Sequence, residues 1–430
     1  MPSDRVGVRA STLAGLAALT ALVGFASVAD AAALLVPRTH RTIQAALDAA
    51  EPGDTVFVAP GKYVGPFLIR RSIVLYSTQG ADTTILDGGG TVRVIDVEGT
   101  SGGAVVGFTI RNGKANSGGG IRLARVQAFL ISGCIFEKNW ESAISVWQSM
   151  NIDLRDDRFT ENDGSAVSMN DSGMIIRSCE FLRNRGYAGG ALAFNRSRLL
   201  FPMRGCNFEE NRAEGASGGA IFADSSEIQV VEGWFEKNTA RIAGGAVAVM
   251  RDSRAALSRN RFWGNQAPGS GAVHVDRATL VAGLNVFDKN RATGLGAAIG
   301  VIGRGNAGVN PLIQSNTFYK NTSNENGTTI WAEHVSPEIR TNIFDMEPNQ
   351  RAFLGIEASP LFECNLIHDP SGAALASLPS MDTLVGDPRF CDPEKGDYYL
   401  SDLSPAILAT CGPIGALPKK CSSFKMVPSR

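Results

Sequence analysis

The chain has 430 residues, and its 41 Lys and Arg against 42 Asp and Glu give a formal net charge of -1. That balance gives no reason to expect nucleic acid or an anionic membrane surface as a partner. Glycine is abundant at 48 residues and aromatics are modest at 7%, a composition that suits one long stack of small repeats better than two or three separate globular cores.

The first 31 residues read as an export signal. Arg5 and Arg9 form a positive leading segment, and Leu13 to Phe25 an apolar core too short to span a membrane stably. Ala29-Asp30-Ala31 is a small-x-small cleavage site. Processing near Ala31 leaves a secreted or surface-held chain with no transmembrane segment, since no later apolar run approaches a membrane-spanning length.

Next comes a short amphipathic helix. In Thr42-Ile-Gln-Ala-Ala-Leu-Asp-Ala-Ala50, the residues Ile43, Ala46, Leu47 and Ala50 share one helical face, and Glu51-Pro52-Gly53-Asp54 stops the helix. The apolar pieces Val56-Phe57-Val58, Phe67-Leu68-Ile69 and Ile73-Val74-Leu75 then read as the first strands. A helix at this position covers strand edges that an uncapped stack would expose.

From here a register recurs roughly every 22 to 31 residues, with a Phe followed three positions later by Asn. The pairs are Phe136/Asn139, Phe159/Asn162, Phe181/Asn184, Phe208/Asn211, Phe235/Asn238, Phe262/Asn265, Phe287/Asn290 and Phe318/Asn321. A second marker lies between them: Gly119-Gly120-Ile121, Gly189-Gly190-Ala191, Gly218-Gly219-Ala220, Gly244-Gly245-Ala246 and Ser270-Gly271-Ala272. Apolar-x-apolar follows each marker, as in Val247 to Val249, which is the period of a short strand with one buried face. Other columns keep their residue type too: Ile131, Leu154, Ile176, Met203, Val230 and Leu257 all stand five before a Phe. Such a period marks a solenoid. A coil of three short strands stacks like on like at roughly 4.8 Å per coil, which places a Phe ladder and an Asn ladder inside. The glycines serve the sharp corners and not a phosphate loop, because strands and not helices follow them.

Seven cysteines in an exported chain leave at least one unpaired. Cys134, Cys179 and Cys206 share one inward column and read as buried thiols, stacked in parallel and poorly aimed for bridging. Cys364, Cys391, Cys411 and Cys421 fall in an irregular C-terminal region where disulfides brace a loop-rich cap, with connectivity open.

The stretch from Thr42 to Tyr63, with Thr84-Ile-Leu-Asp-Gly88 and Gly107-Phe-Thr-Ile-Arg-Asn112, resembles the opening of exported bacterial β-helix proteins of the pectin-lyase-like type. The Gly-Gly-Ala-Ile and Phe-x-x-Asn repeats are similar to those of polymorphic outer-membrane proteins. Phe390-Cys-Asp-Pro393, Gly396-Asp-Tyr-Tyr-Leu400, Ser404-Pro405 and Ile414-Gly-Ala416 resemble the closing segment of many such chains, although Ala406 stands where that pattern often has Cys. The resemblance implies an all-β chain: a single right-handed parallel β-helix with a short N-terminal capping helix and an irregular C-terminal cap. Its divisions are a signal at 1–31, the capped β-helix at 32–360, and a C-terminal coil with a disulfide-bearing cap at 361–430. The architecture serves lyases, hydrolases, esterases, epimerases and non-catalytic surface proteins alike, so it implies the fold more than the activity.

Chemistry then falls to outward columns. Positions flanking each Phe bring Trp234, Glu236, Glu209, Arg261, Trp263, Asp288 and Tyr319 onto one sheet face. Aromatic rings beside carboxylates and an Arg suit sugar faces and uronate groups, and Arg261 with Glu236 supplies parts of a lyase site, a cation for the carboxylate and a base for the α-proton. The plainer alternative is a solvated ladder of mixed charge. His274, between Ala248 and Gly300, takes an outward position where an imidazole acts as acid or base, or is simply a surface His. Asn170, Asn195 and Asp224 share a column offering oxygens to Ca²⁺, or are turn residues bonding their own backbone. The pair Asp156-Asp157 is similar to adjacent acids of β-helix pectin hydrolases, but the Gly-His-Gly and Arg-Ile-Lys companions are absent from the sequence. With no recognisable catalytic set, the favoured expectation is a non-catalytic exported protein that binds an extracellular polysaccharide or a cell-surface partner without a cofactor. The alternative is a carbohydrate-active enzyme, foremost a Ca²⁺-dependent polysaccharide lyase on acidic glycans, or else a glycoside hydrolase.

Overall fold

The computed structural model describes residues 31–303, 310–324, 327–372, 382–417 and 421, so the expected export signal lies outside the described residues except for Ala31. The chain forms two compact units, one up to Arg158 and one from Phe159. Each is built as a right-handed parallel β-helix.

In the N-terminal unit the helix Ile43–Ala49 starts where expected, with the Thr42 hydroxyl accepting from the Ala45 amide at 3.1 Å. It buries Ile43, Ala46 and Leu47. Each coil that follows carries three strands in a fixed order, which define three sheets. Sheet one contains Phe67–Ile69, Ile95–Glu98, Ile121–Ala124 and Ile144–Trp147 in this unit. Sheet two contains Ala33–Val36, Thr55–Val58, Val74–Ser77, Ala104–Val106, Leu130–Ser132 and Ile152–Arg155. Sheet three contains Gly61–Val64, Thr84–Asp87, Thr109–Arg111 and Ile135–Glu137. The register is like on like, with Ile95, Ile121 and Ile144 in one row and Val97, Leu123 and Val146 in the next.

The C-terminal unit repeats this plan with the ladders that the sequence predicts. Phe159, Phe181, Phe208, Phe235, Phe262, Phe287, Phe318 and Phe344 stack with centroids 4.7–4.9 Å apart and planes within 12°. Full burial of each ring contributes about 1.5–3 kcal/mol. The Asn ladder follows one rule: Asn238 Oδ1 accepts from the Asn211 amide at 3.0 Å, and its Nδ2 donates to the Phe208 carbonyl at 2.9 Å. A second Asn ladder runs through Asn260, Asn285, Asn316, Asn342 and Asn365. A Ser ladder through Ser172, Ser197, Ser226 and Ser253 satisfies a third corner in the same way.

Two features correct the three-strand expectation. A fourth sheet of six two-residue strands, from Arg185–Gly186 to Thr322–Ser323, follows sheet three in these coils. The C-terminal segment also does more than close an end. Its antiparallel pair Phe390–Asp392 and Asp397–Leu400 lies over the outward side of sheet three. Ile414 and Leu400 pack on Ile343 and Leu366. The bridge Cys364–Cys411 ties this strap to a coil, and Cys391–Cys421 closes it on itself. Cys134, Cys179 and Cys206 are buried and form no disulfide among the described residues, as the column predicts.

Candidate functional site

The face expected to bind is sheet three between Trp234 and Tyr319, and the strap covers most of it. The register sets Trp234 beside Arg261 and Glu236 beside Trp263. The Arg261 guanidinium is sandwiched, 4.7 Å from the Trp234 ring and 5.3 Å from that of Tyr398, and donates to the Gly396 carbonyl at 3.3 Å. Asp288 is only 3% exposed, and burial raises its pKa despite Tyr398 and Arg261 beside it. Tyr319 is 2% exposed and packs on Phe390 and Tyr398. Burial pushes its hydroxyl up to about 12. Glu394 of the strap accepts from Lys320 at 2.8 Å, from Tyr319 at 2.7 Å and from Lys289 at 2.9 Å, which hold it down to about 2.

These contacts correct the sequence reading of Arg261, Asp288 and Tyr319 as open ligand contacts. The same holds for the reading of Trp234 and Trp263 as rings without a packing role. Both are half-buried: Trp234 stacks on Arg261 and donates to Glu236 at 3.0 Å, and Lys237 sits 4.7 Å above the Trp263 ring. Glu209 is half-buried beside Glu236.

His274 is also corrected. It does stand between Ala248 and Gly300 in register, but it is 7% exposed, and burial lowers its pKa to about 4, so the imidazole is neutral. Its Nδ1 lies 3.1 Å from the buried Ser270 hydroxyl. The column Asn170, Asn195 and Asp224 is aligned as expected. However, Asn195 donates to the Asn170 oxygen at 3.1 Å, and Arg251 engages both oxygens of Asp224. With its one carboxylate paired and an amide hydrogen occupying a lone pair, this set does not fit Ca²⁺. Asp157 is a ladder member: its oxygens accept from the Cys134 amide at 2.8 Å and the Arg155 amide at 3.2 Å.

A different face stays open. On sheet one of the N-terminal unit, strand alternation points Asp96, Arg122 and Ser145 outward in one row, and Glu98, Ala124 and Trp147 in the next. Arg122 forks onto Asp96, with Nε at 2.6 Å and Nη2 at 3.0 Å, and also reaches Glu98 at 3.0 Å. Arg93 and Arg70 approach Asp96 at 3.5 and 3.3 Å, and Arg125 pairs with Glu98. Burial alone would raise Asp96, but these guanidiniums, Arg122 foremost, outweigh it and hold the carboxyl below its usual range. Four Arg surround two acids, leaving two positive charges in excess. Trp147 is 40% exposed, with Arg125 5.7 Å from its ring.

Chemically this patch offers fork-shaped donors for a planar carboxylate and an aromatic surface beside them. Both acids are ion-paired to guanidiniums. The sequence reading passed over Arg122, Asp96, Arg125 and Trp147. The signal was available: Asp96 and Arg122 are the second residue and Trp147 the fourth of their sheet-one strands, the places that His274 and Asn170 hold in theirs, and Arg125 follows directly after such a strand. Among the described residues no cluster of three or more His, Cys, Asp or Glu is arranged to hold a metal ion.

Residues 93–262 match the family described as the right handed beta helix region. No curated protein matches the chain in sequence. Among solved structures, a mutant of the PL6 family alginate lyase AlyGC is similar at 14% identity and a TM-score of 0.56, over 92% of this chain and 59% of that one. The chain thus spans well under two thirds of that lyase. The A-module of the mannuronan C-5 epimerase AlgE4 from Azotobacter vinelandii is similar at 14% identity and a TM-score of 0.43, over 80% and 95% of the two chains. PfbA, a surface adhesin of Streptococcus pneumoniae, is similar at 12% identity and a TM-score of 0.43, over 76% and 87%. At these identities the likeness is one of fold.

Proposed function

We propose that this is an exported, non-catalytic β-helix protein that binds an acidic glycan through the open face around Arg122, Arg125 and Trp147. The observation that carries the reading is the excess of guanidinium over carboxylate on that face beside an exposed indole. A uronate carboxylate matches the Arg fork, and a sugar ring matches the indole. Export is supported by the leading segment of the sequence and by the bridges Cys364–Cys411 and Cys391–Cys421, which persist in oxidising compartments. Among the described residues no helix is long and apolar enough to cross a membrane.

Binding is favoured over a lyase because the groups chosen for acid-base work are engaged: His274 is buried and neutral, Arg261 lies under the strap, and Glu236 bonds Trp234 and Lys237. The test measures binding of galacturonate oligomers by the full-length protein, alongside release of unsaturated uronate followed by absorbance. Arg122→Gln and Trp147→Ala are each expected to lower affinity at least about tenfold, the loss of one charge-assisted contact or one stacking surface, with no product formed by any form of the protein. Product from the wild type supports the lyase reading instead, and unchanged affinity in both variants overturns the proposed site.

A further inference from the structure

The fourth sheet was not foreseen, and its outward side carries charges that the fold itself does not use. Its strands are two residues long, and their first residues line up as Arg185, Arg212, Thr239, Gln266, Arg291 and Thr322. The second residues point inward, where Ala213, Ala240 and Ala267 make a small apolar row. The next residue of each coil points outward again, giving Tyr187, Glu214 and Arg241 beside the first two arginines. Arg185, Arg212, Arg241 and Arg291 are all exposed.

Two of these arginines are direct neighbours across a parallel register, a placement that destabilises the pair by like-charge repulsion unless an anion is supplied. The chain supplies little. Asp163 precedes Arg185 in the register, but among the described residues no carboxylate forms an ion pair with Arg185, Arg241 or Arg291, and Arg212 reaches Glu214 only at 3.9 Å. Elsewhere in this unit some exposed arginines are paired, as Arg196 forks onto Asp171 and Arg277 onto Asp276, while others such as Arg254 and Arg259 form no ion pair among the described residues. What sets the row apart is that Arg185 and Arg212 are adjacent in register and, with Arg241 and Arg291, outnumber the neighbouring acids Asp163 and Glu214. Tyr187 adds an apolar surface at its start. It is 77% exposed, yet its ring is seated against Gly215, where an added Cβ would come within 2.2 Å of the ring, and its carbonyl accepts from the Gly215 and Ala216 amides at 3.0 and 2.7 Å. An aromatic held in place and left in water has the character of a stacking surface.

We propose that this row is a second glycan site, a strip that takes a linear polysaccharide carrying one carboxylate per sugar, laid along the stack of coils. Neighbouring strands are roughly 4.8 Å apart, about the length of one sugar unit, so successive uronates meet successive coils. Arg185 and Arg212 hold adjacent carboxylates, and Arg291 holds one three coils further on, while Thr239 and Gln266 face the hydroxyls between. Tyr187 stacks on a terminal ring. The inference shares with the proposed function the class of ligand, an acidic glycan, but rests on different residues. A strip engages long chains, whereas the Arg122 and Trp147 face engages short ones.

The experiment uses the full-length protein with polygalacturonic acid as the long probe, a galacturonate trimer as the short one and neutral dextran as the control. In the triple variant Arg185→Gln, Arg212→Gln and Arg291→Gln, affinity for the polymer should fall at least about tenfold, with a weaker dependence on salt. Trimer affinity and melting temperature should stay unchanged, and Arg-to-Lys replacement at the same positions should restore most of the polymer binding. Unchanged polymer affinity and salt dependence in the Gln variant overturns the strip while leaving the open-face site standing. If Trp147→Ala leaves trimer binding intact but the Gln variant loses the polymer, the open-face reading fails and the strip holds. Equal binding of dextran and polygalacturonate overturns the strip, because its selectivity rests on charge.

Discussion

Two outward faces of this protein are assembled from the same kinds of residue and end in opposite states. On sheet three, Arg261, Asp288 and Tyr319 lie against the strap, and Arg261 is clasped between the rings of Trp234 and Tyr398. On sheet one, Trp147 and Arg125 remain exposed and Arg122 half-exposed, with the guanidiniums paired laterally to Glu98 and the buried Asp96. Each face contains aromatics, guanidiniums and acids, so residue type alone does not separate a binding surface from an internal docking surface. The difference lies in a segment 75 residues beyond Tyr319 and 135 beyond Arg261 in the chain. Phe390, Glu394 and Tyr398 dock on the first face.

The comparison breaks most sharply at Tyr398, which is 1% exposed between Arg261, Tyr319 and Phe390. Tyr398→Ala should destabilise the protein by about 3–5 kcal/mol, as removal of a large buried aromatic does, measured by chemical denaturation. A loss below about 1 kcal/mol would show that the strap is not docked as described, and that the covered face is available after all.

A smaller effect comes from the interior, at a corner between sheet two and sheet three. Asp157 occupies a corner where later coils place Asn260 or Asn285, and burial raises its pKa to about 8. An unfolded Asp titrates near 3.9, so the folded state favours the neutral acid. That stabilising contribution is full below about pH 4 and is lost as pH rises toward 8. Asp157→Asn keeps an acceptor for the Cys134 amide and adds a donor without the charge. Its stability, measured by chemical denaturation, should therefore exceed the wild type's by a margin that widens from pH 4 to pH 8, reaching about 1–3 kcal/mol. A margin that shrinks with rising pH would contradict the buried, neutral assignment.

The smallest expected effect sharpens the contrast from the other side. Trp147→Ala, on the open face, should change stability by less than about 0.5 kcal/mol, as exposed substitutions do, although the same change lowers glycan affinity. A melting temperature that falls as far as that of Tyr398→Ala would mean that Trp147 is packed, and that this face is structural too.

Much of the interior was legible in the sequence, because a stack repeats its chemistry. Phe at a fixed place must meet Phe one coil on, and Asn at a corner must satisfy the amide of its neighbour. The helix at Ile43–Ala49 was legible from its apolar face and its Thr42 cap. Asp157 and the aligned column of Asn170, Asn195 and Asp224 were visible as positions, but not their bonding. Their partners are set by side chains such as Arg251 that the repeat does not constrain.

The sequence by itself thus determined the coil, its ladders, the capping helix and the buried thiols, since each follows from local period and nearest-neighbour stacking. Only the tertiary structure decided which outward columns meet solvent. It folded the strap over Arg261, Asp288 and Tyr319, buried His274 beside Ser270, inserted a fourth sheet that sets Arg185 beside Arg212, and left Arg122 and Trp147 open. The physical reason is that outward positions carry no repeat constraint: their exposure depends on contacts between residues far apart in the chain, and no period records those contacts.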